Sequence, residues 1–325
     1  FDGTEKAGGK VRFCRYVCSL VRYPNEIAMH IFFLWFFRFF LATVALVLLY
    51  SNLKLYDSPD CISTTGGSLN SDVFRQLHFL QRAIHAEHAD LAMQGQYPEG
   101  YLFIHALFGL AWCETAKGLG ADDPIHQQAL REIARSLQAM DSPTGKSTFT
   151  ADQPLEYGAF YQGWTTYLRG CLLQLSPLAM RDTQLVAQFQ ASCAAIARAI
   201  DETDQPYLES YPGATWPADN IVCLAALSLH DRILEPRFRS VKEKWLSRIK
   251  RTMLPGYELI PHDYDLEHGI SREGVRGSSQ SLMLVFLPAI DAEFAVRQYQ
   301  NFRRHFLAYR MGLPGIREYP KGVSG

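Results

Sequence analysis

The sequence predicts an all-α protein: an N-terminal transmembrane helix followed by an (α/α)6-type toroid that looks short at its C-terminal end. Three observations predict this. Residues 28–50 form one long apolar run, and four apolar segments rich in small residues recur along the rest of the chain, roughly 60 residues apart. More charged, amphipathic stretches lie between them. The composition is globular: 325 residues, 48% hydrophobic, 20% charged, with a formal net charge of −1. That balance leaves no basic footprint and excludes nucleic acid as the expected partner.

The first element is AMHIFFLWFFRFFLATVALVLLY, residues 28–50. About 20 apolar residues suffice for a helix to cross the hydrocarbon core, whereas a signal peptide's apolar core is only about 7–15 residues long. Arg38 lies in the N-terminal half, where its stem reaches toward the near interface. Lys6, Lys10, Arg12, Arg15 and Arg22 precede the run. The positive-inside rule then makes 1–27 a cytoplasmic segment and places the main domain on the periplasmic or extracellular side. Residues 51–72, polar from 57 onward (DSPDCISTTGGSLNSD), read as a linker, and 73–325 as the toroid domain.

The repeated segments are GYLFIHALFGLAWCETA from Gly100, AFYQGWTTYLRGCLLQL from Ala159, DNIVCLAALSLHDRI from Asp219 and SSQSLMLVFLPAID from Ser278. Each suits a helix buried on most sides. Amphipathic helices are expected at 73–94, 125–140, 181–201, 236–253 and 291–310. The unit is an αα-hairpin, one inner and one outer helix, which buries its apolar face only by stacking on neighbours. Long aromatic-rich connections favour a closed ring over an open solenoid. Six such hairpins need roughly 350 residues at this spacing. The chain supplies four and part of a fifth, begins at Phe1 and stops in a polar loop, so both ends read as cuts.

Seven cysteines occur without a CxxC pair. Cys113, Cys171, Cys193 and Cys223 lie in apolar helical stretches and behave as small hydrophobes. Neither a disulfide framework nor a metal site is expected.

Parallel inner helices would open all their N-termini on one face. The segments entering them are QYPEGY (96–101), PLEYGAFYQGW (154–164), YLESYPGATWPADN (207–220), IPHDYDLEHGISREGVRGSS (260–279) and REYPKG (317–322). All combine aromatics with ionisable groups, whereas AKGLGADDP and LQLSPLAMRD at the other end have fewer aromatics. Helix N-termini favour negative charge, and an aromatic concavity with few polar groups is the default ligand pocket. Tyr161, Trp164, Tyr211, Trp216, Asp219 and Arg276 are therefore expected to line one cavity. Each also has a plainer role: Asp219 as an N-cap, Trp216 and Tyr211 as packing aromatics, Arg276 as a cap or an anion contact. His262, Asp263, Asp265, Glu267 and His268 match no metal spacing and read as a solvated loop. Glu87 and Asp90, one helical turn apart beside His85 and His88, read as a surface stripe or an acid/base cluster.

DNIVCLAALSLHDRI and the loop before it resemble the bacterial linalool dehydratase/isomerase family. AFYQGWTTYLRGCL resembles that family's pocket helix, AIDAEFAVRQYQNFRRHF a later outer helix and IREYPKG a later loop. The resemblance spans about residues 75–322 and is best over 219–233. It implies an α/α toroid of six inner and six outer helices, acid/base dehydration and isomerisation, and no cofactor. The family's catalytic cysteine falls at Asp219, its pocket histidine at Trp164 and its pocket methionine at Phe160. A pocket tyrosine falls near Ser278, the other cysteine near Ser210 or Tyr211, and Tyr161 matches a family tyrosine. A carboxyl of tuned pKa can replace a thiol in proton transfer. The helix dipole lowers the pKa of Asp219 and burial raises it; a general base tolerates either outcome, so the base role is expected.

Two other classes stay open. A carbohydrate-active toroid acting on an envelope polysaccharide, as hydrolase, lyase or epimerase, would pair Asp219 with Glu156, Glu209 or Asp263. A membrane-anchored scaffold would use the same face to bind a partner.

Overall fold

Periodicity of the kind described above produces helices along nearly the whole chain. The computed structural model describes residues 8–56 and 70–323, with the backbone alone for 8–27, 55 and 56. The chain forms two units: one holds the first helix with Tyr309–Gly315, the other the remaining helices.

The first unit is dominated by α1, Gly8–Tyr56. Its stretch Ala28–Lys54 is long and apolar enough to cross a membrane, with a mean hydropathy of 2.4 and none of it buried. Phe32, Trp35 and Phe39 are each about two-thirds exposed or more, which in water would be an apolar patch of unusual size. The Arg38 guanidinium sits over the Trp35 ring at 5.7 Å. The expected linker is shorter than 51–72: α1 runs on to Tyr56 and the next helix begins at Ser71, while 57–69 lie outside the described residues. So do Lys6 and the side chains of Lys10, Arg12, Arg15 and Arg22.

In the second unit α2 covers Ser71–His85 and α3 Ala89–Gln96. The single helix expected at 73–94 is thus broken. His88, at φ 54°, takes the left-handed conformation that His tolerates better than most residues. Four helix pairs follow. They are α4 (Gly100–Ala116) with α5 (Pro124–Met140), the short α6 (Pro143–Lys146), α7 (Gly158–Leu175) with α8 (Thr183–Asp201), α9 (Pro217–Ile233) with α10 (Arg239–Lys250), and α11 (Gly277–Ile290) with α12 (Ala292–Phe306). The apolar members begin within two residues of the expected positions. α4 packs on α7, α7 on α9 and α9 on α11, with α5 against α4 and α7 and α8 against α7 and α9. The series of hairpins is therefore present.

The closest inner pair is α7 with α9. Gly163 makes it possible: a Cβ there would stand 3.1 Å from both the Asp219 carbonyl oxygen and Cys223 Sγ. The core runs through the inner helices, with Trp112 and Trp164 buried almost completely. Truncating either to Ala would cost about 3–5 kcal/mol. Cys113, Cys171, Cys193 and Cys223 are buried in this core; burial pushes the Cys193 and Cys223 thiols up, and the neighbouring Cys113 together with burial raises Cys171.

Two expectations about outer helices are corrected. The helix expected at 236–253 is confined to Arg239–Lys250. The one expected at 291–310 stops at Phe306, and β1 (Leu307–Arg310) pairs with β2 (Leu313–Ile316) across a turn at Met311 and Gly312, both at positive φ. The chain is mostly helical, not all-α.

Candidate functional site

The site is assembled where the segment 207–216 is held between the starts of α7 and α9. Asn220, fully buried, clasps the backbone of Leu208: its Oδ1 accepts from Leu208 N (2.8 Å) and its Nδ2 donates to Leu208 O (3.0 Å) and Trp216 O (3.2 Å). On the other side the first N–H groups of α7 donate to this segment, Ala159 N to Glu209 O (2.8 Å) and Phe160 N to Ser210 O (3.3 Å). These are the helix-end donors that need partners from outside the helix. Gly158, at φ +76°, allows that approach: a Cβ there would lie 2.2 Å from Ser210 O.

Ser210 and Asp219 are brought together by this clasp. Asp219 is the third residue of α9 and 3% exposed. Its Oδ2 accepts from Ser210 Oγ (2.7 Å) and its Oδ1 from Trp164 Nε1 (3.2 Å). Ser210 Oγ in turn accepts from Trp216 N (3.0 Å). The N-cap position of α9 is Trp216, and Asp219 does not cap the helix; its carboxyl faces other elements instead. Burial pushes the Asp219 carboxyl up to about 7, against the two hydrogen bonds that favour its ionised form, and the Glu99 charge adds to the rise. Burial outweighs those two hydrogen bonds, which leaves the carboxyl able to hold a proton near neutrality. The premise for a base role alone is therefore revised: both proton donation and acceptance are open to it.

Aromatic rings pack around the Trp164 partner of Asp219 and around the neighbouring Tyr211. Trp164 contacts Phe103 (5.2 Å between ring centres) and Phe286 (5.6 Å). Phe160 stacks on Phe149 at 5.7 Å. Tyr211, whose hydroxyl accepts from Trp216 Nε1 (3.0 Å), lies near Phe149.

The other expected residues diverge. Tyr161 points away, donating to Asp141 Oδ1 (2.6 Å) in a group completed by Arg169. Burial and that acid push its hydroxyl well above the usual range. Arg276 and Ser278 meet Glu318: Ser278 donates through N (3.0 Å) and Oγ (2.9 Å), and Arg276 lies over the Tyr319 ring at 5.0 Å. Arg276 occupies the N-cap position of α11 without capping it; Glu318 does so instead. A cleft of about 370 Å³ opens beside the site, lined by Trp216, Tyr264, Glu209, Glu267, Arg272 and Glu273 among others. Of the six residues expected to share one cavity, only Trp216 lines it.

The 260–276 loop is self-satisfied rather than metal-binding. Asp263 accepts from Ser271 Oγ (2.8 Å) and Glu273 N (2.9 Å). Asp265 accepts from Glu267 N (3.0 Å) and His268 N (3.1 Å), which holds its carboxyl well below the usual range. Among the described residues no group of three His, Cys, Asp or Glu is arranged for a metal.

Glu99 escaped sequence reasoning, whereas Asp90 reads there as part of a surface stripe or an acid/base cluster. Glu99, just before α4, has a charge that acts on both Asp219 and Tyr211. Its signal was positional: both acids lie at the start of an inner helix. Asp90 is 8% exposed and bonded to His105, so it belongs to no surface stripe, whereas Glu87 stays exposed beside Arg82. Glu156 is exposed as well. A scan against protein-family models and a search of curated proteins both return no match.

Proposed function

We propose that the chain is an acid/base lyase or isomerase in which Asp219 carries the proton, built on the arc of an α/α toroid and anchored by α1. The observation that carries the reading is a buried carboxyl, Asp219, held by Ser210 Oγ and Trp164 Nε1, which burial pushes up to about 7. Near neutrality a protonated Asp219 donates to a leaving hydroxyl, the C–O bond breaks and water departs. The carboxylate left behind takes a proton from the neighbouring carbon as the double bond forms, which regenerates the acid. Net, an alcohol gives an alkene and water; when water instead returns to the far end of the allylic cation and gives a proton to the carboxylate, the isomeric alcohol forms and the acid is regenerated. Trp164, Phe160 and Tyr211 offer ring faces that stabilise developing positive charge by about 0.5–2 kcal/mol each. The resemblance to linalool dehydratase/isomerase points the same way, toward small apolar alcohols and without a cofactor. Asp219 stands where that family has a thiol and Trp164 where it has a histidine, so the substrate differs.

The test uses the full chain with a panel of tertiary allylic alcohols and the matching alkenes in D2O. Turnover with deuterium incorporation is expected, falling about 10²–10⁴-fold in Asp219→Asn. Near-normal turnover by a folded Asp219→Asn would reduce the residue to a packing group. A second reading rests on the 370 Å³ cleft, where Trp216 and Tyr264 accompany Glu209, Glu267 and Glu273, a lining that suits saccharides. Release or epimerisation of envelope oligosaccharides, without activity on the alcohols, would favour it. For topology, the basic residues before the apolar run 28–50 put the N-terminus in the cytoplasm and the helical domain outside it. An active cytoplasm-only reporter fused after residue 72 would overturn that arrangement.

A further inference from the structure

Away from Asp219, residues of α2, α3, α4 and α5, with His88 between α2 and α3, line a separate open cavity of about 280 Å³. We propose that it is a binding site for a small neutral polyhydroxylated molecule, a polyol or a single sugar unit, held between His105 and Ser136. Asp90 and His105 form one wall, with Oδ2 of the acid 3.1 Å from Nε2 of the ring. A carboxylate accepts only, so the ring proton sits on Nε2 and Nδ1 remains a hydrogen-bond acceptor. Burial also lowers the His105 pKa, which keeps the ring neutral.

Ser136 supplies the second, independent observation. It lines the cavity, is 1% exposed, and its Oγ has no hydrogen-bond partner among the described residues. An orphaned buried hydroxyl is unfavourable, and a ligand hydroxyl would relieve it.

Charge selects the ligand class. Asp90, the one acid on the wall, is taken by His105 and by Leu91 N (2.9 Å). Glu132 lies off the wall, with Oε1 on Gln81 Nε2 (3.1 Å) and Arg135 (2.8 Å) and Oε2 3.2 Å from His85. Arg135, on the wall, is committed to Glu132 and largely exposed, so no buried positive charge is left for an anion. Besides the rings of His85 and His88, the wall offers a neutral acceptor and a neutral hydroxyl. The volume lies just under the range of drug-sized pockets, about 300–1,000 Å³, and so fits something smaller.

The experiment is a titration of the full chain, followed through the His105 ring resonances by NMR. The probes are glycerol, sorbitol and methyl glucoside, with inorganic phosphate and choline as charged comparisons. Saturable shifts are expected with a polyol or the glucoside only. Ser136→Ala, checked for folding by its melting curve, should weaken binding about five- to tenfold, the worth of one hydrogen bond. Asp90→Asn should weaken it as well by releasing the ring tautomer. Three results overturn the proposal: saturation by phosphate or choline instead, unchanged affinity in a folded Ser136→Ala, or no saturable shift with any probe, in which case water is the partner of Ser136.

Discussion

Outer and inner helices begin in opposite ways. Three outer helices, α5, α8 and α12, start at an aspartate whose carboxylate takes a backbone N–H of the same helix: Asp123 from Ile125 (2.7 Å), Asp182 from Gln184 (2.8 Å), Asp291 from Phe294 (2.9 Å). The inner helices α4, α7, α9 and α11 start at Glu99, Tyr157, Trp216 and Arg276, and none of these side chains caps its helix. Two of their ends are satisfied from far along the chain, α7 by Glu209 and Ser210, α11 by Glu318. These three outer helices are thus finished by their own sequence, whereas α10, from Phe238, has no side-chain cap. At α7 and α11 tertiary structure does that work, and at α9 the acid in the first turn is left for other partners. Asp219 is the clearest case, an acid in the first turn of a helix that spends its oxygens on Ser210 and Trp164.

The comparison can be broken by substitution, and the largest effect is expected at Gly158. Its φ of +76° and the 2.2 Å approach to Ser210 O leave no room for a Cβ, so Gly158→Ala should cost about 3 kcal/mol or more in chemical denaturation. Gly213→Ala is the control, with a similar φ but nothing within 4 Å, and should cost about 1 kcal/mol. Equal losses at both would mean that the segment 207–216 is not held against α7. Next, Asn220→Ala removes three hydrogen bonds and strands the Leu208 backbone, for about 3 kcal/mol.

How much of this was legible depended on distance along the chain. The outer caps could be read locally, because Asp123 precedes Pro124 and Asp182 precedes Thr183 at the start of an amphipathic run. The repeat was legible too, since burial on all sides leaves an apolar imprint on each inner helix. The pairing of Glu99 with Asp219 was not, because the two are joined only by packing of α4 and α9 around α7. Nor was the Trp164 donor, whose ring looks like any core aromatic. The break at His88 carried no Gly or Pro, and it accompanies a buried Asp90 for which helical spacing leaves open a surface stripe or an acid/base cluster. The β-hairpin hid behind the amphipathic pattern of α12, with Met311–Gly312 as its only turn signal.

A subtler effect concerns pH. A carboxyl raised from its unfolded value to about 7 keeps its proton in the folded state, so its share of stability is full below about pH 4 and is lost as pH rises toward 7. Asp219→Asn should therefore gain on the wild type by about 2–4 kcal/mol at pH 8, with the gap closing by about pH 4. A constant difference at every pH would show a merely structural change. The smallest effects belong to the outer caps: Asp123→Ala and Asp182→Ala should each cost about 1 kcal/mol, independent of pH near neutrality and additive with each other. Coupling between them and Asn220→Ala would blur the line drawn between the two kinds of helix start.

The central claim is that Asp219 exchanges its proton near neutrality. The most direct test is the titration of its carboxyl carbon by NMR in protein labelled at aspartate, with the signal assigned by its absence from Asp219→Asn. A midpoint of about 7 is expected from burial among Trp164, Ser210 and the nearby Glu99. A midpoint close to 4, the ordinary aspartate value, would contradict the account.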